Sequence, residues 1–405
     1  MVTVRLRQRL AWATVLAAAL LAAPVHAAPL YHWTWVVPEG VFKANGGPTI
    51  AELSDGTLLA CWTGGTAEKA RDAQIYCSRL RPGATGWAEP TLVVERGERA
   101  AGWILPNLTL ANPVLFLDRQ RHLWLFYTAV DLPVGWSGSH ADYKVSSDFG
   151  RSWSRGRRLV RRYGTVTKNK PLEVSPNRVF LPVHHELFGT HGYVLVLDLN
   201  NGRIAGKRSL RIPGGDHIQP SLVPADGNRV FAYMRTATMQ VPHVLFSAYD
   251  PTTGSWSDPS PLDVPNSKAP LDALRAEDGK VLLAYNATTG YRNPLSLAYS
   301  EDGRHFTKIW DFENQPGRRF SYPVLIRSSD GVYHVVYRYD GRAIKHVMFN
   351  RDWLDARIRS TPARWWSVSR ARTISITRLV TRAKTPPALL IELVPSKWTK
   401  FPGKA

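Results

Sequence analysis

Apolar and polar residues alternate in short runs along most of the chain, separated by polar turns, and no window sustains the 3.6-residue apolar spacing of a capped helix. One pattern recurs: a Pro, an apolar alternation, a polar turn usually containing Asp-Gly, then a strongly apolar run. Its copies are PTIAELSDGTLLACW from Pro48, PVLFLDRQRHLWLFY from Pro113, PLEVSPNRVFLPV from Pro171, PSLVPADGNRVFAY from Pro220, PLDALRAEDGKVLLAY from Pro270 and PVLIRSSDGVYHVVY from Pro323, at intervals of 65, 58, 49, 50 and 53 residues. Near-equal units of this length signal a repeat architecture. Alternation around a Gly-bearing turn predicts a hairpin in each copy, and a third and sometimes a fourth strand follow. After Pro270, for instance, come GKVLLAYN, PLSLAYS, the turn EDGRHF and TKIWDF. Four antiparallel strands repeated six times predict an all-β, six-bladed β-propeller. The 15 Trp residues suit sheets packed face to face. The sixth copy supplies GVYHVVYRY and AIKHVMFN but no fourth strand, whereas YHWTWVV at 31–37 is an orphan. Residues 31–37 are therefore expected to complete the last blade and close the ring against an open edge.

The ends of the chain read differently. Residues 1–28 carry Arg5, Arg7 and Arg9 with no acid, then LAWATVLAAALLAA, then small residues before Ala28. This is the pattern of a cleaved export signal, and it places the mature protein in the periplasm or outside the cell. No later run approaches the ~20 apolar residues of a membrane span, so no stable membrane insertion is expected. Residues 357–405 hold 11 basic residues against the single acid Glu392 and no matching apolar face, which reads as a disordered tail. A polyanion-binding tail or a frame artefact are the other readings. The net charge of +20 is concentrated at the two ends, because residues 29–356 hold 38 basic and 31 acidic residues. A mildly basic, monomeric body gives no reason to expect a nucleic-acid partner. Cys61 and Cys77 fall on neighbouring strands of one hairpin, where export permits a disulfide and two buried thiols are equally compatible. No spacing of Cys or His resembles a metal site, and no cofactor is expected.

In a propeller the starts of the inner strands and the ends of the second strands converge on one face. Here those positions hold Asn45, Asn112, Lys168, Asn169, Lys170, Gln219, Asp272 and Tyr322, then Trp62, Asp72, His184, His185, Glu186, Arg235, Asn286, Arg292 and Arg338. Several of these polar groups would be needed merely to cap strands. Together, Lys168, Lys170, Arg235, Arg292 and Arg338 would focus positive potential in one cleft and favour an anionic ligand.

The octapeptide SSDFGRSW, residues 146–153, fits S-x-D-x-G-x-[T/S]-W at every defined position, and SEDGRHF at 300–306 and AYDPTTGSW at 248–256 are worn copies. It resembles the Asp-box of sialidases and other BNR-repeat propellers, a structural turn placed away from the axis. WTGGTAEKARDAQIYCSR, KNKPLEV, IQPSLV, LDALRAEDGKVLLAYN, RNPLSLAYS and FSYPVLI extend the resemblance over about residues 40–350, toward bacterial proteins described as predicted neuraminidases. Sialidases use an Arg triad for the substrate carboxylate, a Tyr nucleophile activated by a Glu, and an Asp acid/base. The resemblance implies Tyr322 in FSYP as nucleophile, Asp72 in ARDA as acid/base, and Arg235 and Arg292 as the second and third arginines. Two departures stand out. Gly46-Gly47-Pro48 replaces the family's Arg-Ile-Pro, and Gln219 stands where the Tyr-activating Glu is expected. An amide cannot take a phenolic proton, so either Glu186 or Asp272 acts as base, or the Lys168 and Lys170 pair eases the deprotonation of Tyr322, or sialidase chemistry does not occur here.

Lys168, Lys170, Gln219, Arg235, Asn286, Arg292 and Arg338 are accordingly the expected substrate contacts, with Asp72, Tyr322, Glu186 and Asp272 as the catalytic candidates. The expected activity is an exported, sialidase-like exo-glycosidase acting on an acidic glycan of sialic-acid or uronate type. A lyase on a uronate-containing polysaccharide and a glycan-binding propeller without catalysis are the alternatives.

Overall fold

The computed structural model describes residues 28–68 and 70–362. Its strands form six antiparallel sheets of four or five strands, each built from consecutive hairpins. The inner strands begin near Asn45, Thr109, Thr165, His217, Asp272 and Phe320, one for each Pro-led copy in the sequence. Six separate apolar clusters lie between successive sheets rather than inside any one of them. Leu59, Ile75 and Val94 of the first blade pack on Leu115, Leu125 and Tyr127 of the second. The same pattern runs round the ring to Val324, Val336 and Ile344 of the sixth blade, which meet Ile50, Ala60 and Trp62 of the first. A flat sheet can bury both faces only against two neighbours, so the strongly apolar second strands are buried along nearly all their length, and Leu123–Val130 at every position.

The ring closes as the orphan strand predicts. Tyr31–Val37 pairs antiparallel with Ala343–Phe349, from Tyr31 opposite Phe349 to Val37 opposite Ile344. Cys61 and Cys77 lie directly opposite each other in the first blade and form a disulfide, which settles the pairing the sequence left open.

The Asp-box turn is a staple. It joins Ser139–Ser146 to Arg157–Arg158 at the outer edge of the second blade, away from the axis. The Ser146 hydroxyl donates to Asp148 Oδ1 at 2.7 Å and accepts the Gly150 N–H at 2.7 Å. Asp148 also accepts the Ser152 N–H at 2.9 Å and the Ser152 hydroxyl at 2.6 Å, and these bonds hold its carboxyl well below the usual range. Gly150, at φ 76°, occupies a backbone region that side chains disfavour. Across the blade boundary, Arg79 Nη2 donates to the Phe149 carbonyl at 2.7 Å, and Trp153 packs on the first interblade cluster. The worn copy at Asp302 repeats the device: Asp302 accepts the Arg304 and His305 N–H groups, and the Gly303 carbonyl accepts Tyr233 Oη of the preceding blade at 2.7 Å. Asp148→Ala is expected to cost about 1–2 kcal/mol in denaturant unfolding and to leave turnover per folded molecule unchanged. Selective loss of turnover would contradict this structural role.

One element departs from the sequence reading. Arg351–Ser360 is an α-helix that crosses the expected boundary, so that residues 357–360, expected to begin a disordered tail, form its last turn. Its cap is legible in hindsight: Asn350 Oδ1 accepts the Trp353 N–H at 3.0 Å. The same side chain accepts the Leu30 N–H at 2.9 Å and donates to the Ala28 carbonyl, tying the helix to the closing strand. Trp353 and Leu354 extend the cluster between the fifth and sixth blades. Tertiary burial stabilises a helix too short to persist alone. Among the described residues no helix is long and apolar enough to cross a membrane. The expected export signal and most of the expected tail lie outside the described residues.

Candidate functional site

All six inner strands start at the same face, here called the mouth, and the residues before their prolines sit around the axis. In the second, fourth and sixth blades this residue takes a left-handed backbone: Asn112 at φ 47°, Gln219 at 55° and Tyr322 at 57°. Each lies at a register shift in the inner hairpin, between Ala111 and Val114, Ile218 and Ser221, and Ser321 and Val324. In the first and third blades the inner strand is interrupted at the corresponding place, by Gly46–Pro48 and by Lys168–Pro171. A left-handed Asn is common, but for Gln and Tyr the conformation is costly. Its repetition round the ring identifies it as a device that aims one side chain per bulge toward the axis.

Beneath the mouth, the segment Lys168-Asn169-Lys170 of the third blade reaches the other blades. Lys168 Nζ donates to the carbonyls of Leu271 at 3.0 Å and Pro323 at 2.9 Å, and to Asn169 Oδ1. Asn169 Nδ2 donates to the carbonyls of Gln219 and Pro220. Lys170 pairs with Asp272, whose carboxylate also accepts the Ser221 hydroxyl at 2.6 Å and the Leu325 N–H at 2.8 Å. Burial pulls Lys168 down to about 7, against the opposing influence of Asp272. The three acceptors round its nitrogen match the three donors of an ammonium.

Hydrogen bonds within the protein engage Lys168, Lys170, Asp272, Asn286 and Gln219 and correct the roles expected of them. Asp272 is fully buried and its oxygens accept from Lys170, Ser221 and Leu325, with Tyr322 not among these partners, so it serves as a hub between blades instead of a base. Lys168 and Lys170 are bonded to protein groups below the cavity and do not offer their charge to a ligand. Asn286, also fully buried, donates to the carbonyls of Pro294 and Phe320 and holds strand ends together. Gln219 turns its Oε1 to Arg235 Nε at 3.0 Å, and Arg235 Nη1 donates to the Lys268 carbonyl. Burial lowers Arg235 to about 10, and its charge is felt alongside Tyr322, Arg292, Glu186 and Glu68. Arg235 is thus the electrostatic floor of the site.

Above this floor a cavity of about 560 Å³ opens at the mouth, lined by Glu68, Ser267, Tyr291, Arg292, Arg319, Ser321 and Arg338 among others. A crevice of about 30 Å³ adjoins it, bounded by Asn45, Gly46, Gly47, Thr63, Asn112, Trp136 and Tyr322, and sharing Glu68 and Arg338. Arg338 Nη1 donates to Glu68 Oε2 at 2.8 Å across the closure between first and last blades. Arg292 lies 5.6 Å over the Tyr322 ring. A Cβ on Gly47 would stand 2.9 Å from Tyr322 Cδ1, and one on Gly46 would stand 2.9 Å from Thr63 Cβ. Where the resembling family carries Arg, close packing against Tyr322 and Thr63 requires glycine here.

The structure therefore brings together Tyr322, Arg292 and Arg338 at the cavity, with Arg235 behind. Glu186 accepts from His184 Nε2 at 2.9 Å, and His184, fully buried, is shifted down by burial. Asp72 lies on the same loop as Glu68 but accepts the Thr66 N–H and, at 2.8 Å, the Thr66 hydroxyl, which hold its carboxyl low. Glu68 and Arg319 were missed in the sequence because both sit in loops without alternation, and only the turn of each loop decides which charged residue faces inward.

The comparisons agree with this architecture. The family model described as BNR repeat-like domain matches residues 56–335. Among curated proteins, none matches the chain. A protein of unknown function from Dyadobacter fermentans superposes with a TM-score of 0.62 at 15% identity, covering 79% of this chain and 99% of that one. The intramolecular trans-sialidase of Ruminococcus gnavus gives 0.62 at 14% identity, over 76% of this chain and 95% of that one. The NanB sialidase of Streptococcus pneumoniae gives 0.62 at 12% identity, over 78% and 70%. At such identities the likeness carries the fold, a six-bladed sialidase-like propeller. With the stapled Asp-box turns and a family match over most of the ring, the chain belongs to the BNR repeat-like domain family.

Proposed function

We propose that the chain is an exported glycosidase that takes an acidic sugar into the mouth cavity. The observation that carries this reading is the convergence of Arg292, Arg319 and Arg338 on one cavity that adjoins Tyr322. Guanidinium groups in a partly desolvated cleft bind a carboxylate in a fixed orientation, as a lone lysine would not. In this reading the Tyr322 phenol gives its proton to water in the open cavity as its oxygen attacks the anomeric carbon, and the bond from that carbon to the leaving oxygen breaks. A neutral phenol is preferable to a carboxylate for attack on an anionic sugar, because it does not repel it. Positive charge from Arg292, 5.6 Å from the ring, stabilises negative charge developing on the phenolic oxygen. Glu68, which lines both parts of the cavity, is assigned the proton delivered to the leaving oxygen, taken up when the sugar carboxylate replaces it on Arg338. A water molecule then attacks the same carbon, the bond to Tyr322 breaks, the water proton returns to Glu68 and the phenolate recovers its proton from solvent.

The assay is a panel of sialosides and uronate oligosaccharides with mass-spectrometric product detection. Tyr322→Phe is expected to reduce turnover by more than about a hundredfold while keeping affinity, and Arg319→Ala to raise KM more than it lowers kcat. Glu68→Gln is expected to impair turnover of substrates with poor leaving groups. If Asp72→Asn does this and Glu68→Gln does not, the proton comes from Asp72, as the family resemblance implied. The second reading is glycan binding without hydrolysis, favoured by one observation: Gln219, in place of a carboxylate, faces Arg235. Undiminished binding by Tyr322→Phe, with no product from any substrate of the panel, would establish it.

A further inference from the structure

The two faces of the propeller differ in what they expose. Seven of the ten most exposed large apolar side chains among the described residues lie on loops at the mouth: Val41, Ile104, Leu105, Val134, Phe188, Met239 and Tyr291. Ile104 is 83% exposed, Phe188 81%, Val134 59% and Tyr291 55%, so these are projecting tips and not partly covered core residues. The alternation of strand direction places them on one side. Inner strands run away from the mouth and second strands return to it. The loops after the second strands, which hold Val134, Phe188, Met239 and Tyr291, therefore share a face with the connection that carries Ile104 and Leu105. The same loops and connections expose Arg71, Arg99, Arg161, Arg162 and Arg319, and Arg211 is exposed at the end of the strand Arg203–Arg211 that reaches this face. Of the acids there, Glu39 and Asp340 face Arg318, Glu68 faces Arg338, Glu98 pairs with Lys144 and Glu186 with His184, Asp72 and Asp216 accept from Thr66 and Thr238, and Glu95 is exposed.

We infer that the mouth face docks on an anionic lipid surface. The tips come from loops spread around the ring and are separated by arginines and by the cavity. A protein partner needs a contiguous packed apolar centre. Isolated apolar tips among basic side chains match a headgroup layer, where each tip enters the acyl boundary independently and the arginines meet lipid phosphate. A cleft of about 190 Å³ lined by Leu108, Leu132, Pro133 and Trp136 with Arg71 continues this character inward beside the cavity. Docking here would point the cavity at glycan head groups carried by the surface, but the attachment does not depend on catalysis.

The test is co-sedimentation of the full chain with phosphatidylcholine vesicles, with and without phosphatidylglycerol. Pelleting is expected only when phosphatidylglycerol is present, and it should weaken as salt rises. Ile104→Asp/Phe188→Asp and, separately, Arg161→Ala/Arg162→Ala/Arg211→Ala are expected to weaken it by roughly tenfold or more. Both sets are surface changes, and their melting temperatures and turnover of a soluble substrate should match wild type. The inference is overturned if the chain does not pellet, if it pellets equally on phosphatidylcholine alone, or if neither set of variants reduces pelleting. It is equally overturned if Ile104→Asp/Phe188→Asp converts a dimer to a monomer without affecting pelleting, which would make the face a contact between two copies. None of these outcomes bears on whether Tyr322 is catalytic.

Discussion

A chain that begins at Pro38 is expected to lose its cooperative unfolding transition or to melt far below the intact protein, and to self-associate. Tyr31–Val37 is the outer strand of the sixth blade, paired along its length with Ala343–Phe349. Val36 and Val37 are buried in the cluster between the sixth and first blades. Tyr31 stacks on Trp353 with ring centroids 4.8 Å apart. Each buried Val contributes about 1.5–3 kcal/mol, before the ladder hydrogen bonds and aromatic contacts are added. The sum approaches the ~5–15 kcal/mol by which a whole domain is stable. Removal also leaves Ala343–Phe349 as an open edge, available to a second chain. Thermal unfolding with size-exclusion chromatography reports both effects, and a synthetic 28–38 peptide added in trans should restore part of the transition. A truncated chain that melts like the intact protein would show that the ring is held shut elsewhere.

The second large effect is expected at Asp272. Its carboxylate joins Lys170 of the third blade, Ser221 of the fourth and the Leu325 N–H of the sixth. Asp272→Ala would leave the Lys170 ammonium beside an apolar gap and the Leu325 N–H with no acceptor. Breaking a buried pair from one side costs about 3–5 kcal/mol. Asp272→Asn retains an oxygen acceptor and should cost less. Denaturant unfolding of the two variants, set beside turnover per folded molecule, separates the hub from a base. A hub loses stability in the order Ala, then Asn, with residual turnover intact. Loss of turnover in a fully stable Asp272→Asn variant would restore the catalytic reading.

The candidate site was legible in part, and the division has a physical origin. Tyr322, Arg292 and Arg338 were found because position in a repeated hairpin fixes which end of a strand meets the axis. The same rule nominated Lys168, Lys170, Asp272 and Asn286, which lie at the axis but below the cavity. Depth along the axis depends on how far a side chain reaches and which carbonyls of other blades accept it, as Lys168 finds Leu271 and Pro323. Nothing local encodes that distance. Glu68 and Arg319 were invisible for the converse reason, since loop residues carry no periodicity to say which way they turn.

By itself the sequence determined the number of blades, the Asp-box staples and the identity of the closing strand, because these follow from alternation, turn chemistry and an unpaired apolar run, all short-range properties. Only the tertiary structure decided that Asn350 caps a helix onto the closing strand, that Cys61 and Cys77 are joined, and which charges are consumed as struts. It also decided which arginines face the cavity. Apart from the disulfide, whose cysteines are 16 residues apart, those outcomes depend on groups far apart in the chain, such as Ser221 and Asp272, 51 residues apart, or Leu30 and Asn350, 320 apart, meeting at hydrogen-bond distance when the ring closes.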